Sequence, residues 1–280
     1  MTKVLASLSE VASDYDAIVF DQWGVLHDGS APYPLAVETL AALKADGHRL
    51  AVLSNSGKRA DVNEAQLSRI GFPADLFDCV MTSGEALWQA FAAGEMPFTK
   101  LHAITRAPGD AEAWAGRLEL SFLPVEKAEA VLLMGLADTA GAGAFADVFS
   151  AALERGLPVL CANPDKTAPR AGGVTLVMPG TLAQDHANTG GEVRYIGKPH
   201  GQVFGAVEAA LGLAPERILM VGDSLEHDIA GADAAGWHSV FICGGLHAAR
   251  FRSGDIASNV AALADAMATP LPRYTLDTLR

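Results

Sequence analysis

The feature that most constrains this fold is an alternation of short, wholly apolar runs with helical patterns. Ala17–Phe20 is followed by a helical pattern over residues 35–46, an apolar run over 50–53 and a second helical pattern over 61–70. Gly47 and Gly71 stand where each helix would close. Continuous apolar strands alternating with helices in this way predict a parallel sheet covered on both faces. The rhythm returns late in the chain, with a helix over 202–211, a strand over 218–221, a helix over 229–235 and a strand over 239–242.

A second alternation lies between these halves, over residues 101–104, 130–134, 144–155 and 158–162. The expected organisation is an α/β, Rossmann-like doubly wound core from residues 1–84 and 189–280. An inserted α/β domain would occupy 85–188, with soft borders near Gly84 and in the polar run 184–192. Residues 270–280, with two prolines, read as an irregular surface strap.

The bulk numbers exclude several function classes. A chain of 280 residues that is half apolar can bury a large core. Its net charge of -13 repels nucleic-acid backbones, so no nucleic-acid partner is expected. Apolar runs such as 128–137 fall short of the roughly 20 residues that span a bilayer, and residues 1–10 lack the basic-then-apolar order of a secretory signal. No membrane partner and a cytoplasmic location are the expectations. Nothing decides between a monomer and a homo-oligomer. Cys79, Cys161 and Cys243 lie far apart among apolar residues and read as buried thiols.

Four sites carry chemistry, and each falls at a predicted strand end. Asp21 follows Ala17–Phe20 and precedes Gly24, a position where open α/β sheets bind ligands, although an Asp opening a turn looks the same. Ser54, Asn55 and Ser56 with Gly57 and Lys58 offer hydroxyl, amide and backbone donors suited to phosphoryl oxygens, or an ordinary polar turn. Lys198 lies before Pro199, which can aim it inward, against the default of a surface lysine. Asp223 and Asp228 flank a short loop and can both face one hard cation, while Asp228 would equally serve as the N-cap of the helix over 229–235.

The order of these sites resembles the four motifs of the haloacid dehalogenase superfamily. Gly24-Val25-Leu26-His27-Asp28-Gly29, Thr82-Ser83-Gly84-Glu85 and Ala162-Asn163-Pro164-Asp165-Lys166 extend the resemblance to the subfamily typified by the nucleotide-phosphate phosphatase NagD and by pyridoxal phosphate phosphatase. The resemblance implies a hydrolase, a phosphatase of a phosphorylated small molecule, with Asp21 as the nucleophile that becomes an aspartyl phosphate. It implies Ser54 and Lys198 as binders of the phosphoryl oxygens. Mg²⁺ would be held by Asp21, the backbone carbonyl of Trp23 and Asp223, with Asp228 either as a further ligand or just behind the ligands, acting on the metal through them. The inserted segment would be a C2-type cap that sets specificity through Asn163, Asp165 and Arg170, although Asn163-Pro164-Asp165 fits a plain turn as well, and Asn55 and Ser56 of the core would be further substrate-binding contacts.

One departure bears directly on catalysis. The family usually places a second Asp two residues after the nucleophile as general acid and base, and this chain has Trp23, which cannot exchange protons near neutral pH. Three consequences follow from the sequence: a substrate whose leaving group needs no acid, a substitute acid at His27 or Asp28, or a degenerate protein that binds a phosphorylated ligand with weak or no turnover.

Overall fold

The computed structural model describes residues 1–169 and 175–279, and Arg170 lies outside them. The described chain separates into two compact units. One comprises Met1–Ser54, Asp61–Met81 and Lys198–Arg280; the other comprises Asn55–Ala60 and Thr82–Gly197. The second unit contains the 85–188 range read above as an insertion and also takes in residues 55–60, 82–84 and 189–197, which the sequence reading assigned to the core.

The first unit is built on a seven-stranded sheet. Its order is Lys3–Val4, Tyr274–Leu276, His238–Ile242, Ile218–Gly222, Ala17–Phe20, Arg49–Ser54 and Cys79–Thr82. The strands from Lys3–Val4 to Arg49–Ser54 pair in parallel. All residues of Ala17–Phe20 are fully buried, as a central strand covered on both faces requires. Helix Ala36–Ala45 buries Ala36, Leu40 and Leu43 along one stripe, and helix Gly201–Leu211 buries Val203, Phe204, Val207 and Leu211. Both sets follow the spacing of three or four and seven or eight residues that marks a helix lying against a core.

Two expectations are corrected. The surface strap expected over residues 270–280 gives way to a strand, because Tyr274–Leu276 is buried and seated between Lys3–Val4 and His238–Ile242. Pro270 and Pro272 precede the pairing residues, so neither removes a ladder donor from them. The helix over 229–235 begins earlier than its sequence suggests. Ser224 is the cap, accepting from His227 N–H at 3.2 Å, and a wide helical turn over Leu225–Ile229 leads into Ala230–Ala234. Asp228 therefore lies within a turn and is not an N-cap.

The second unit has its own parallel sheet in the order Val193–Tyr195, Val159–Cys161, Ala130–Leu133, Lys100–Ile104 and Ser121–Phe122. A separate antiparallel pair joins Thr167–Pro169 to Thr175–Val177. Val131, Leu133, Val159 and Cys161 with Leu182 and Ala183 form its core. Among the described residues no helix is long and apolar enough to cross a membrane.

Candidate active site

Strand register explains how the first unit gathers its acids. Phe20 pairs with Val52 on one side and with Val221 on the other. One step further along these parallel strands, Asp21 lies level with Leu53 and Gly222, and its N–H donates to Val221 O at 2.9 Å. Ser54 and Asp223 come one residue later. All three stand on the carboxyl edge of adjacent strands, the edge where open α/β sheets bind ligands.

The carboxylates of Asp21, Asp223 and Asp228 offer oxygens that lie within 4.8 Å of one another. Lys198 Nζ is 2.5 Å from Asp21 Oδ1 and 2.7 Å from Asp228 Oδ1. Lys198 is only 2 % exposed. Burial alone would lower its pKa, but the two carboxylates reverse that and hold the ammonium above the usual lysine range. Burial pushes the Asp21 carboxyl up to about 7 against the pull of Lys198, and the Asp228 charge adds to the rise. Burial, with Asp21 and Asp228 close by, carries Asp223 well above the ordinary value. Three oxygen donors crowded together out of water, with more negative charge than one lysine can neutralise, suit a hard divalent cation.

Backbone detail makes room for these side chains. A Cβ on Gly24 would lie 1.8 Å from Asp223 Oδ2, and its φ of +82° is one that other residues rarely adopt. A Cβ on Gly245 would lie 2.1 Å from the same oxygen, which accepts a hydrogen bond from Leu246 N–H at 2.7 Å. A Cβ on Gly222 would lie 2.2 Å from Asp228, whose Oδ2 accepts from Ser224 N–H at 3.0 Å. Gly245 and Leu246 escaped the reading of the sequence. The Gly244-Gly245 pair just past strand His238–Ile242 was the signal available, since paired glycines after a strand mark close backbone approach.

Trp23 is 46 % exposed. Its ring meets His27 edge to face at 5.5 Å and covers Gly29, where a Cβ would fall 2.1 Å from the indole. His27 is fully buried, and its Nδ1 accepts from Gly29 N–H at 3.0 Å, so the neutral ring carries its proton on Nε2. Burial, stronger than the attraction of Asp28, takes its pKa down to about 4. Asp28 accepts from the Ser30 hydroxyl and from the N–H groups of Ser30 and Ala31, which hold its carboxyl down at about 2. Neither residue is disposed to lend a proton at neutral pH.

In the second unit, Asn163 and Asp165 are tied into the protein. Asp165 N–H donates to Asn163 Oδ1 at 3.1 Å, and Asp165 Oδ1 accepts from Asn55 Nδ2 at 2.8 Å. Lys58 N–H donates to the Ser56 hydroxyl at 3.3 Å.

A sequence profile of the haloacid dehalogenase-like hydrolases matches residues 15–236. The chain belongs to that family. It is similar to D-glycerol 3-phosphate phosphatase from Mycobacterium tuberculosis, 28% identical over 246 residues that cover 86% of this chain and 67% of the relative. It is also similar to glycerol-3-phosphate phosphatase from Homo sapiens, at 26% identity over 88% of this chain and 83% of that one. Its fold matches a haloacid dehalogenase-like hydrolase from Brucella suis with a TM-score of 0.82 and 28% identity, covering 99% of this chain and 100% of that chain. The glycerol phosphate phosphatase of M. tuberculosis, solved in complex with magnesium, aligns with a TM-score of 0.74 and 25% identity over 99% of this chain and 78% of that one.

Proposed function

We propose that this protein is a Mg²⁺-dependent phosphatase of a phosphorylated small molecule and that Asp21 carries the phosphoryl group as a transient aspartyl phosphate. The observation that carries this reading is the convergence of the Asp21, Asp223 and Asp228 carboxylates within 4.8 Å, with Lys198 bridging two of them. Mg²⁺, held by these carboxylates and the main-chain carbonyl of Trp23, would supply the positive charge that lets an anionic phosphate approach an anionic nucleophile. An Asp21 oxygen attacks phosphorus as the bond to the ester oxygen breaks, and the leaving oxygen departs with the bonding pair. The Lys198 ammonium and the Ser54 hydroxyl donate to the phosphoryl oxygens through both displacements. Water then cleaves the aspartyl phosphate, releasing inorganic phosphate and restoring the Asp21 carboxylate.

The names of the relatives make glycerol phosphates the first substrates to try. The decisive experiment compares the parent with Asp21→Asn on p-nitrophenyl phosphate with Mg²⁺. The parent turns over and the variant does not; equal rates would refute the reading.

Trp23 supports a second reading, a phospholigand-binding protein with weak or no turnover. The buried, neutral His27 and the well-solvated Asp28 anion leave the loop after Asp21 without an evident proton donor. Restoration of turnover on ordinary alkyl phosphates by Trp23→Asp, from a parent with none, favours that alternative.

A further inference from the structure

We infer that Asp165 is a positioning residue that acts through Asn55 to fix the main chain next to Ser54. The inference rests on the phosphatase reading of Ser54, and it assigns Asp165 a task other than touching substrate.

Sequence places Asn55–Ala60 at the tip of strand Arg49–Ser54, yet this segment packs as part of the second unit. It is held there from several sides. Asn55 Nδ2 donates to Asp165 Oδ1 at 2.8 Å. Ser56 O accepts from Gly84 N–H at 3.0 Å, and Lys58 O accepts from the Thr82 hydroxyl at 2.5 Å. Glu85 Oε2 accepts from Arg59 Nε at 2.6 Å and from Ala60 N–H at 3.1 Å. The packing leaves no slack, since a Cβ on Gly57 would lie 2.3 Å from Met134 O and one on Gly84 would lie 2.1 Å from Gly57 O.

Asp165 is built as an anchor. Its N–H donates to Asn163 Oδ1 at 3.1 Å and its carbonyl accepts from Gly180 N–H at 2.9 Å, so the residue is fixed before its side chain engages. A Cβ on Gly197 would come within 2.8 Å of Asn55 Oδ1 and 2.7 Å of Pro164 Cδ. The Asn55 amide is thus confined on one side and hydrogen-bonded on the other. Asn55 is the residue bonded to Ser54, so an error in its peptide is passed directly to a hydroxyl that must meet a phosphoryl oxygen.

The test uses Asp165→Ala, Asn55→Ala, the double variant and Asp165→Asn, which keeps an acceptor for Asn55 Nδ2. Hydrogen exchange of the full chain gives a readout that needs no turnover: both Ala variants speed exchange across residues 55–60, and Asp165→Asn does not. Unchanged exchange in Asp165→Ala overturns the inference. On p-nitrophenyl phosphate with Mg²⁺, each Ala variant loses about 10- to 100-fold in kcat with little change in KM, the scale of a small misplacement of a reacting group. The double variant is no worse than either single one, the coupling expected of two residues acting as one unit. Multiplicative losses, a KM effect that varies from one phosphate ester to another, or Asp165→Asn as impaired as Asp165→Ala would show that Asp165 acts on substrate instead. A parent without Asp21-dependent turnover refutes the phosphatase reading, and exchange then still decides whether the pair holds the loop.

Discussion

Lys198 and Asp228 form an ion pair at 2.7 Å in which the side chains are only 3 % and 1 % exposed. A pair so far from water contributes little net stability as a pair, yet removal of one partner typically costs about 3–5 kcal/mol because the survivor's charge is left uncompensated. Lys198→Met is therefore expected to lower Tm by several degrees in EDTA and by less with Mg²⁺, which on the proposed reading would offset the same carboxylates. Thermal melts with and without the metal check this, and equal deficits in the two conditions would contradict it.

Trp23 lies over Gly29 and beside His27 and has no proton to give. The parent is expected to favour esters with good leaving groups, so that aryl and acyl phosphates turn over faster than alkyl phosphates. Trp23→Asp should raise turnover of an alkyl phosphate by about 10²-fold or more, the usual worth of a general acid. Initial rates on p-nitrophenyl phosphate and glycerol 3-phosphate, parent against variant, measure the shift. No gain on the alkyl ester would place the proton donor elsewhere in the protein.

His27 sets a pH limit on stability. Its folded pKa of about 4 lies below the ordinary histidine value of 6.5, so the unfolded chain binds more protons between these two values. Its contribution is complete above about pH 6.5 and is lost as pH falls toward 4, up to roughly 3 kcal/mol. Urea denaturation of the parent should show that decline. His27→Asn, which keeps an acceptor for Gly29 N–H and cannot titrate, should flatten this part of the profile. Identical slopes for the two proteins would rule His27 out as the cause.

Burial pushes the thiols of Cys161 and Cys243 up to about 12, whereas Cys79 is partly exposed. The thiolate is the reactive form, so the two buried cysteines should resist Ellman's reagent at pH 8 until the protein unfolds. A native titration is expected to count Cys79 alone, and full labelling follows in guanidinium.

The core was legible because its strands are continuous apolar runs. Ala17–Phe20 carries the same bounds in the sequence reading and in the structure, and the expected strand over 50–53 extends by one residue at each end to Arg49–Ser54. Asp21, Ser54, Lys198 and Asp223 each have an ordinary explanation taken singly and drew notice through their order along the chain, each at a predicted strand end. What escaped has no local signature. Lys3–Val4 and Tyr274–Leu276 are too short to show periodicity and exist as strands through partners distant in sequence. The Leu246 N–H is a backbone donor that any residue supplies. Asn55 and Asp165 are 110 positions apart, and no spacing rule links them. Asp228 looked like a helix cap because its own turn is unusual, with Ser224 taking the capping role.

The strand Tyr274–Leu276 has an implication for how the protein is made. Among the described residues it is the sole neighbour of Lys3–Val4 in the sheet, so that strand cannot find its place during synthesis until Tyr274 and Thr275 have been made. Until then strand His238–Ile242 has an open flank, and a nascent or prematurely released chain would present that unpaired backbone to chaperones or to other copies of itself.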